Sequence, residues 1–99
     1  MSHQVRFTPG AKEDLARLYG FLLEKDVGAA EQALEAIYKA VLMLEDFPFS
    51  CRKATDSDPF LRELLIPFGS SGYVALFEIE DESTVTVLAV RHQREDDYH

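Results

Sequence analysis

Two stretches with helical spacing, separated by only three residues, constrain this chain more than any other feature of its sequence. Ala11, Leu15, Leu18 and Leu22 follow one another at four-, three- and four-residue steps, which sets them on one helical face. Tyr19 lies beside them, while Lys12, Glu13, Arg17 and Glu24 turn elsewhere. Asp26-Val27-Gly28 breaks the pattern, and Ala30, Leu34, Ile37, Val41 and Leu44 then mark a second apolar face. Thr8 offers a hydroxyl for an N-cap and Pro9 sits at the first helical position, where its missing N–H is harmless. The first helix should run to about Lys25, and the second should end before Pro48. A connection this short makes the two an antiparallel hairpin, whose apolar stripe needs a surface to bury it.

The rest of the chain supplies that surface as strands. Gln4 to Phe7 has Val5 and Phe7 in alternation, which suits a first strand. Ser50 to Pro59 is polar and without period, and reads as the one long loop. Phe60 to Ile66 returns to apolar character, and Tyr73, Ala75, Phe77 and Ile79 alternate strictly from Tyr73 to Glu80. Phe68-Gly69-Ser70-Ser71-Gly72 reads as hairpin chemistry, because no helix follows to make it a phosphate cradle. After the charged turn Glu80-Asp81-Glu82-Ser83, Thr84 to His92 forms a last strand with Val85, Val87 and Ala89 on one face. On that alternation Arg91 shares the face of Ala89, and His92 that of Leu88 and Val90. The expectation is an α+β fold: an N-terminal strand, an antiparallel helix hairpin, then a three-stranded antiparallel meander. The helices cover one face of the sheet, leaving the opposite face as the natural site for a partner.

Composition limits what such a module can do. Ninety-nine residues with 46% hydrophobic content build one core, so residues 1–99 are expected to form a single domain. The apolar runs fall well short of the roughly 20 residues of a membrane span, and Met1-Ser2-His3-Gln4 does not open a secretory signal. A lone cysteine, Cys51, forms no internal disulfide, which fits a reducing compartment, and the cytoplasm is the expected location. A formal net charge of −8 argues against non-specific nucleic-acid binding, since phosphates are neutralised by an excess of Lys and Arg.

The order of elements and several separate motifs together resemble the ParE/RelE toxin superfamily over nearly the whole chain. The motifs are Phe7-Thr8-Pro9 with Ala11 and Asp14-Leu15, Ala33, and Leu44 with Phe47-Pro48. They continue with Leu61-Arg62-Glu63-Leu64, Gly72-Tyr73-Val74-Ala75-Leu76-Phe77, and Val90-Arg91-His92-Gln93-Arg94-Glu95-Asp96-Asp97-Tyr98. The resemblance implies the toxin of a type II toxin–antitoxin (plasmid stabilisation) pair, silenced by a cognate antitoxin that is a small DNA-binding protein. Its ParE-like branch poisons DNA gyrase by binding. Its RelE-like branch cleaves messenger RNA on the ribosome with basic residues, sometimes a histidine, and a C-terminal tyrosine in place of a metal.

Carried over residue by residue, the nuclease branch would use Arg62, His92 and Tyr98. Val74 stands where that branch typically has a phosphate-binding arginine, and a metal-free ribonuclease that lacks one such donor loses on the order of 100-fold in rate. The ParE-like reading is therefore preferred, with Arg62, Tyr73, Arg91, His92, Arg94 and Tyr98 as the surface for target or antitoxin. The ribosome-dependent nuclease and a non-toxic adaptor on the same scaffold are the alternatives. Salt bridges from Arg91, His92 and Arg94 to Glu95, Asp96 and Asp97 are the structural reading of the same motif.

His92 and His99 with Asp96 or Asp97 show no recognised metal-ligand spacing, and neither metal nor cofactor is expected. Arg52 and Lys53 beside Cys51 are the kind of neighbours that lower a thiol pKa in a reactive site, but no oriented base accompanies it, and a surface or partly buried thiol is expected. Leu22, Leu23, Tyr38, Leu42 and Met43 exceed what one core-facing stripe requires, either as ordinary surface residues or as a protein-binding patch.

Overall fold

The computed structural model describes residues 2–95. Strand β1 spans Gln4–Phe7, helix α1 Pro9–Leu23 and helix α2 Val27–Leu42. Two 3₁₀ turns follow, Met43–Glu45 and Pro48–Ser50, then strands β2 (Arg52–Lys53), β3 (Leu61–Phe68), β4 (Ser71–Ile79) and β5 (Thr84–His92). The helix boundaries follow from their caps. Thr8 Oγ1 accepts the Ala11 N–H at 3.1 Å with Pro9 just inside the helix, and Asp26 Oδ1 accepts the Ala29 N–H at 3.2 Å. Neither helix is long and apolar enough to cross a membrane.

The strands form one mixed sheet of order β1-β5-β4-β3-β2. The antiparallel meander β3-β4-β5 is its centre, as the alternation predicts. Two features add to the expectation. Strand β1 runs parallel to β5, pairing Val5 with Val85 and Phe7 with Val87. A two-residue strand also forms inside the segment expected to be a loop, where Arg52 and Lys53 pair with Glu63 and Arg62.

The hairpin lies on one face of the sheet, and its two stripes meet the inward row of each central strand. The core gathers Leu15, Leu18, Ile37 and Leu44 from the helical segment with Leu64, Ile66, Ala75, Phe77, Val85 and Val87 from the sheet. Burial of this kind stabilises by roughly 25 cal/mol per Å² of apolar surface removed from water, and it is what holds two short helices in place.

One expectation about β5 fails. The ladder pairs Phe77 with Val87 but Leu76 with Ala89, so Leu88 is the extra residue of a β-bulge. An inserted residue reverses the alternation beyond it. Val90, not Ala89, therefore continues the inward row of Val85 and Val87, and it joins the core cluster while Ala89 does not. His92 follows Val90 to the helix side, opposite Tyr73, and Arg91 pairs with Val74 on the other.

Candidate functional site

A groove of about 740 Å³ opens between the second half of α1, the β3–β4 turn and the end of β5. Its apolar wall is Leu18, Phe21 and Leu22 on α1 facing Phe68 and Tyr73, and its polar rim is Arg17, Ser71, His92, Arg94 and Glu95. It lies on the helix side, not on the opposite face that the sequence pointed to. The bulge at Leu88 is the cause, because it turns His92 toward the helices. Of the surplus apolar residues, Leu22 lines this groove, whereas Leu23, Tyr38, Leu42 and Met43 are exposed elsewhere.

Strand register fixes the geometry. Tyr73 sits directly across from His92 on β5, their rings edge to face at 5.6 Å, and Phe68 lies 6.1 Å from Tyr73 across the hairpin. Tyr73 is buried, and burial pushes its hydroxyl pKa up, so the phenol stays protonated in the physiological range.

The protons on His92 follow from its partners. Its Nδ1 accepts the Arg94 backbone N–H at 3.1 Å, which in a neutral ring leaves the hydrogen on Nε2. Nε2 lies 3.1 Å from Ser71 Oγ and therefore donates to it. A histidine so placed holds the end of β5 against the start of β4. It offers no lone pair to take a proton from Ser71, so the pair is not an activated nucleophile.

A chain of charges ties α1 to the same point. Asp14, only 6% exposed, accepts the Val90 N–H through Oδ2 at 2.9 Å. Arg17 reaches Asp14 at 3.8 Å and Glu95 at 3.0 Å, and Glu95 Oε1 in turn accepts the His92 N–H at 3.4 Å. Arg91 donates to the carbonyls of His92 (3.3 Å) and Glu95 (2.7 Å), closing the turn after β5. Nothing in the sequence pattern signals Asp14 or Ser71 as partners, since the contacts span 76 and 21 residues. In the salt-bridge reading of the C-terminal motif Glu95 pairs with the nearby arginines; its side chain reaches Arg17 on α1, and Asp96 and Asp97 lie outside the described residues.

Arg62 is elsewhere. It pairs with Phe77 on β4, four residues from Tyr73, which corresponds to roughly 13 Å of strand. Its guanidinium donates to the carbonyls of Pro59 (2.7 Å), Cys51 (2.8 Å) and Phe49 (3.2 Å). Tyr73, His92 and Arg94 thus share the groove and Arg62 does not, while Tyr98 lies outside the described residues. Other cations are also engaged: Arg6 with Glu80, Arg52 with Glu63 and Lys39 with Glu35.

Cys51 is a buried thiol, in keeping with the unreactive reading. Burial pushes its thiol pKa up, and the charge of Arg62 and a hydrogen bond with Ser50 offset only part of that. Arg52 and Lys53 do not contribute: both are exposed, and Arg52 is paired with Glu63. Alkylation of Cys51 by iodoacetamide at pH 8 is expected to run about 10-fold or more below that of a free cysteine, and to reach the free rate in denaturant. Equal rates in the native protein would show an open, ionised thiol.

Comparison with known proteins agrees with this architecture. The family model described as the ParE toxin of the type II toxin–antitoxin system parDE matches residues 5–97. Toxin RelE3 of Caulobacter vibrioides is 29% identical over 91 residues, covering 92% of this chain and 95% of its own. A solved structure of the chromosomal ParDE toxin–antitoxin system from P. aeruginosa superposes with a TM-score of 0.72 at 17% identity, over 92% of this chain and 96% of that one. At that identity the likeness is one of fold.

Proposed function

The chain belongs to the ParE toxin family of type II toxin–antitoxin systems, and from that premise we propose that it acts by docking on a protein target such as DNA gyrase. Membership of the family implies a cognate antitoxin that silences it. The docking surface in this reading is the groove of Phe21, Leu22, Tyr73, His92 and Arg94.

One observation carries the choice of docking over RNA cleavage: two of the candidate nuclease residues, Arg62 and His92, are apart and engaged. A metal-free ribonuclease stabilises a dianionic phosphorane with several cations that converge on one point. Here Arg62 is turned onto three backbone carbonyls, and His92, in another part of the sheet, is held by Ser71 and the Arg94 amide. The groove itself is mostly apolar with a polar rim, which suits a protein partner.

Inducing the chain without its antitoxin in a bacterial host is expected to arrest growth, with altered supercoiling and broken DNA while translating messenger stays intact. Phe21 is 60% exposed, so Phe21→Glu should leave the fold in place and reduce killing by about 10-fold or more. Rapid loss of messenger with intact DNA would favour the ribosome-dependent nuclease, and normal growth the non-toxic adaptor.

A further inference from the structure

A second groove, of about 550 Å³, lies at the other end of the sheet, where the start of β3 meets the β4–β5 turn. Its floor is Phe49, Phe60 and Ile79, and Phe49 and Phe60 are 53% and 49% exposed. The two rings meet edge to face at 6.1 Å. They are also held in place: the Arg62 guanidinium lies 5.4 Å from the Phe49 ring centre while bonded to the loop carbonyls, and the Ile79 N–H donates to the Phe60 carbonyl at 2.9 Å. A fixed, half-exposed aromatic pair is costly to leave in water and preorganised for a ligand.

The rim over this floor is a row of carboxylates, Glu80, Asp81 and Glu82. The Ser83 N–H and hydroxyl donate to Asp81 at 2.8 and 3.0 Å and hold its carboxyl below the usual range, so it remains charged. Glu80 accepts from Thr86 and pairs with Arg6 at 3.3 Å. Glu82 is exposed and makes no hydrogen bond or ion pair among the described residues. His3 closes the remaining wall. The Arg62 guanidinium already lies against the Phe49 ring, so the aromatic pair offers an apolar floor and the carboxylates carry the preference for a cation; on a chain of net charge −8 this end repels anions.

We infer that this second groove binds a Lys- or Arg-bearing segment of the antitoxin, with an apolar side chain on the Phe49–Phe60 pair and its cation beside Glu82. The inference rests on the toxin–antitoxin reading above. It differs from the target surface in place and in charge, since His92 and Arg94 rim the first groove and carboxylates rim the second. Tyr73 and Ile79, one in each groove, lie six residues apart on β4, or roughly 20 Å, which six or seven extended residues of a wrapping partner span.

The groove's chemistry is tested with a capped decapeptide of Lys, Leu and Phe and a twin carrying Glu for each Lys, each titrated into the ¹⁵N-labelled protein. The Lys peptide is expected to shift the amides of Phe49, Phe60 and Ile79 to Glu82, and Glu82→Lys to weaken it about 10-fold or more. Equal binding by the Glu twin, or shifts confined to the Tyr73–His92 groove, would overturn the inference. The occupant is tested in cells with the cognate antitoxin of this chain. Glu82→Lys should still arrest growth alone, yet survive co-production of that antitoxin as a killer, lowering colony counts at least 10-fold against the wild-type pair. Full rescue of Glu82→Lys would remove the antitoxin as occupant. A wild-type chain that never arrests growth would instead defeat the toxin reading, with the peptide map still deciding the groove's chemistry.

Discussion

Replacing Gly72 by alanine is expected to lower stability by about 3 kcal/mol or more, because both conformation and space oppose a side chain there. Gly72 has φ +154°, and a Cβ built on it would stand 2.1 Å from the Ile66 carbonyl oxygen. That oxygen belongs to the neighbouring strand, so no side-chain rotation relieves the overlap. Gly72 also accepts the Gln93 N–H through its own carbonyl at 2.8 Å, so a displaced Gly72 pulls on the end of β5 and on His92 beside it. Gly69 provides the internal control. It has φ +61° in the two-residue turn between Phe68 and Ser71, yet nothing lies within 4 Å of its added Cβ. Gly69→Ala should therefore cost only about 1 kcal/mol, the conformational part alone. In a domain of this size each kcal/mol moves the melting midpoint by roughly 4–8 °C, so calorimetry separates the two variants easily. Matching midpoints would mean that β3 and β4 can slide apart at no cost.

How much of this was legible beforehand depended on how far apart the cooperating residues lie. The helices were readable because Thr8, Pro9 and the Leu15–Leu18 stripe act over a few residues. The turn at Gly69 and the alternation of β4 were readable for the same reason. Strand β2 was not, since two residues have no period and Arg52–Lys53 is a strand only because Glu63 and Arg62 lie alongside. The parallel pairing of β1 with β5 joins the two ends of the chain and leaves no local signature. The bulge at Leu88 had the largest consequence. One residue out of register exchanged the faces of Arg91 and His92 relative to the Val85–Val87 row, moving the candidate site from the open face to the helix side.

The candidate site was half legible. Tyr73, His92 and Arg94 were singled out from the chain and share one groove, which the alternation of β4 and the end of β5 make possible. Arg62 was grouped with them through the motif Leu61-Arg62-Glu63-Leu64, but its neighbours are loop carbonyls that no pattern around Arg62 announces. Asp14 and Glu95 lie in motifs read from the sequence, but their partners, and the whole part played by Ser71, came only from contacts across the fold. Their side chains are common in turns and on helix surfaces, and sequence alone reads them that way.

Asp14 makes that point testable. Strand β1 pairs with β5 only as far as Phe7 and Val87, and beyond it α1 completes the edge. The Thr8 hydroxyl donates to the Leu88 carbonyl at 3.1 Å, and Asp14 accepts the Val90 N–H. Asp14→Ala is expected to cost about 2 kcal/mol, chiefly because a buried amide loses its acceptor and no water replaces it. Asp14→Asn keeps an acceptor of the same shape and should cost less than about 1 kcal/mol. Loss of the contact to Arg17 adds little in either variant, since Arg17 is partly exposed and keeps Glu95. Hydrogen exchange at Val90 distinguishes this account from a general loosening of the helix. Its protection should fall in Asp14→Ala and persist in Asp14→Asn, while amides in the middle of α1 follow global stability alone. Equal protection of Val90 in all three proteins would show that the bulged edge of β5 is satisfied some other way. In that case the helix would not be what sets the position of His92.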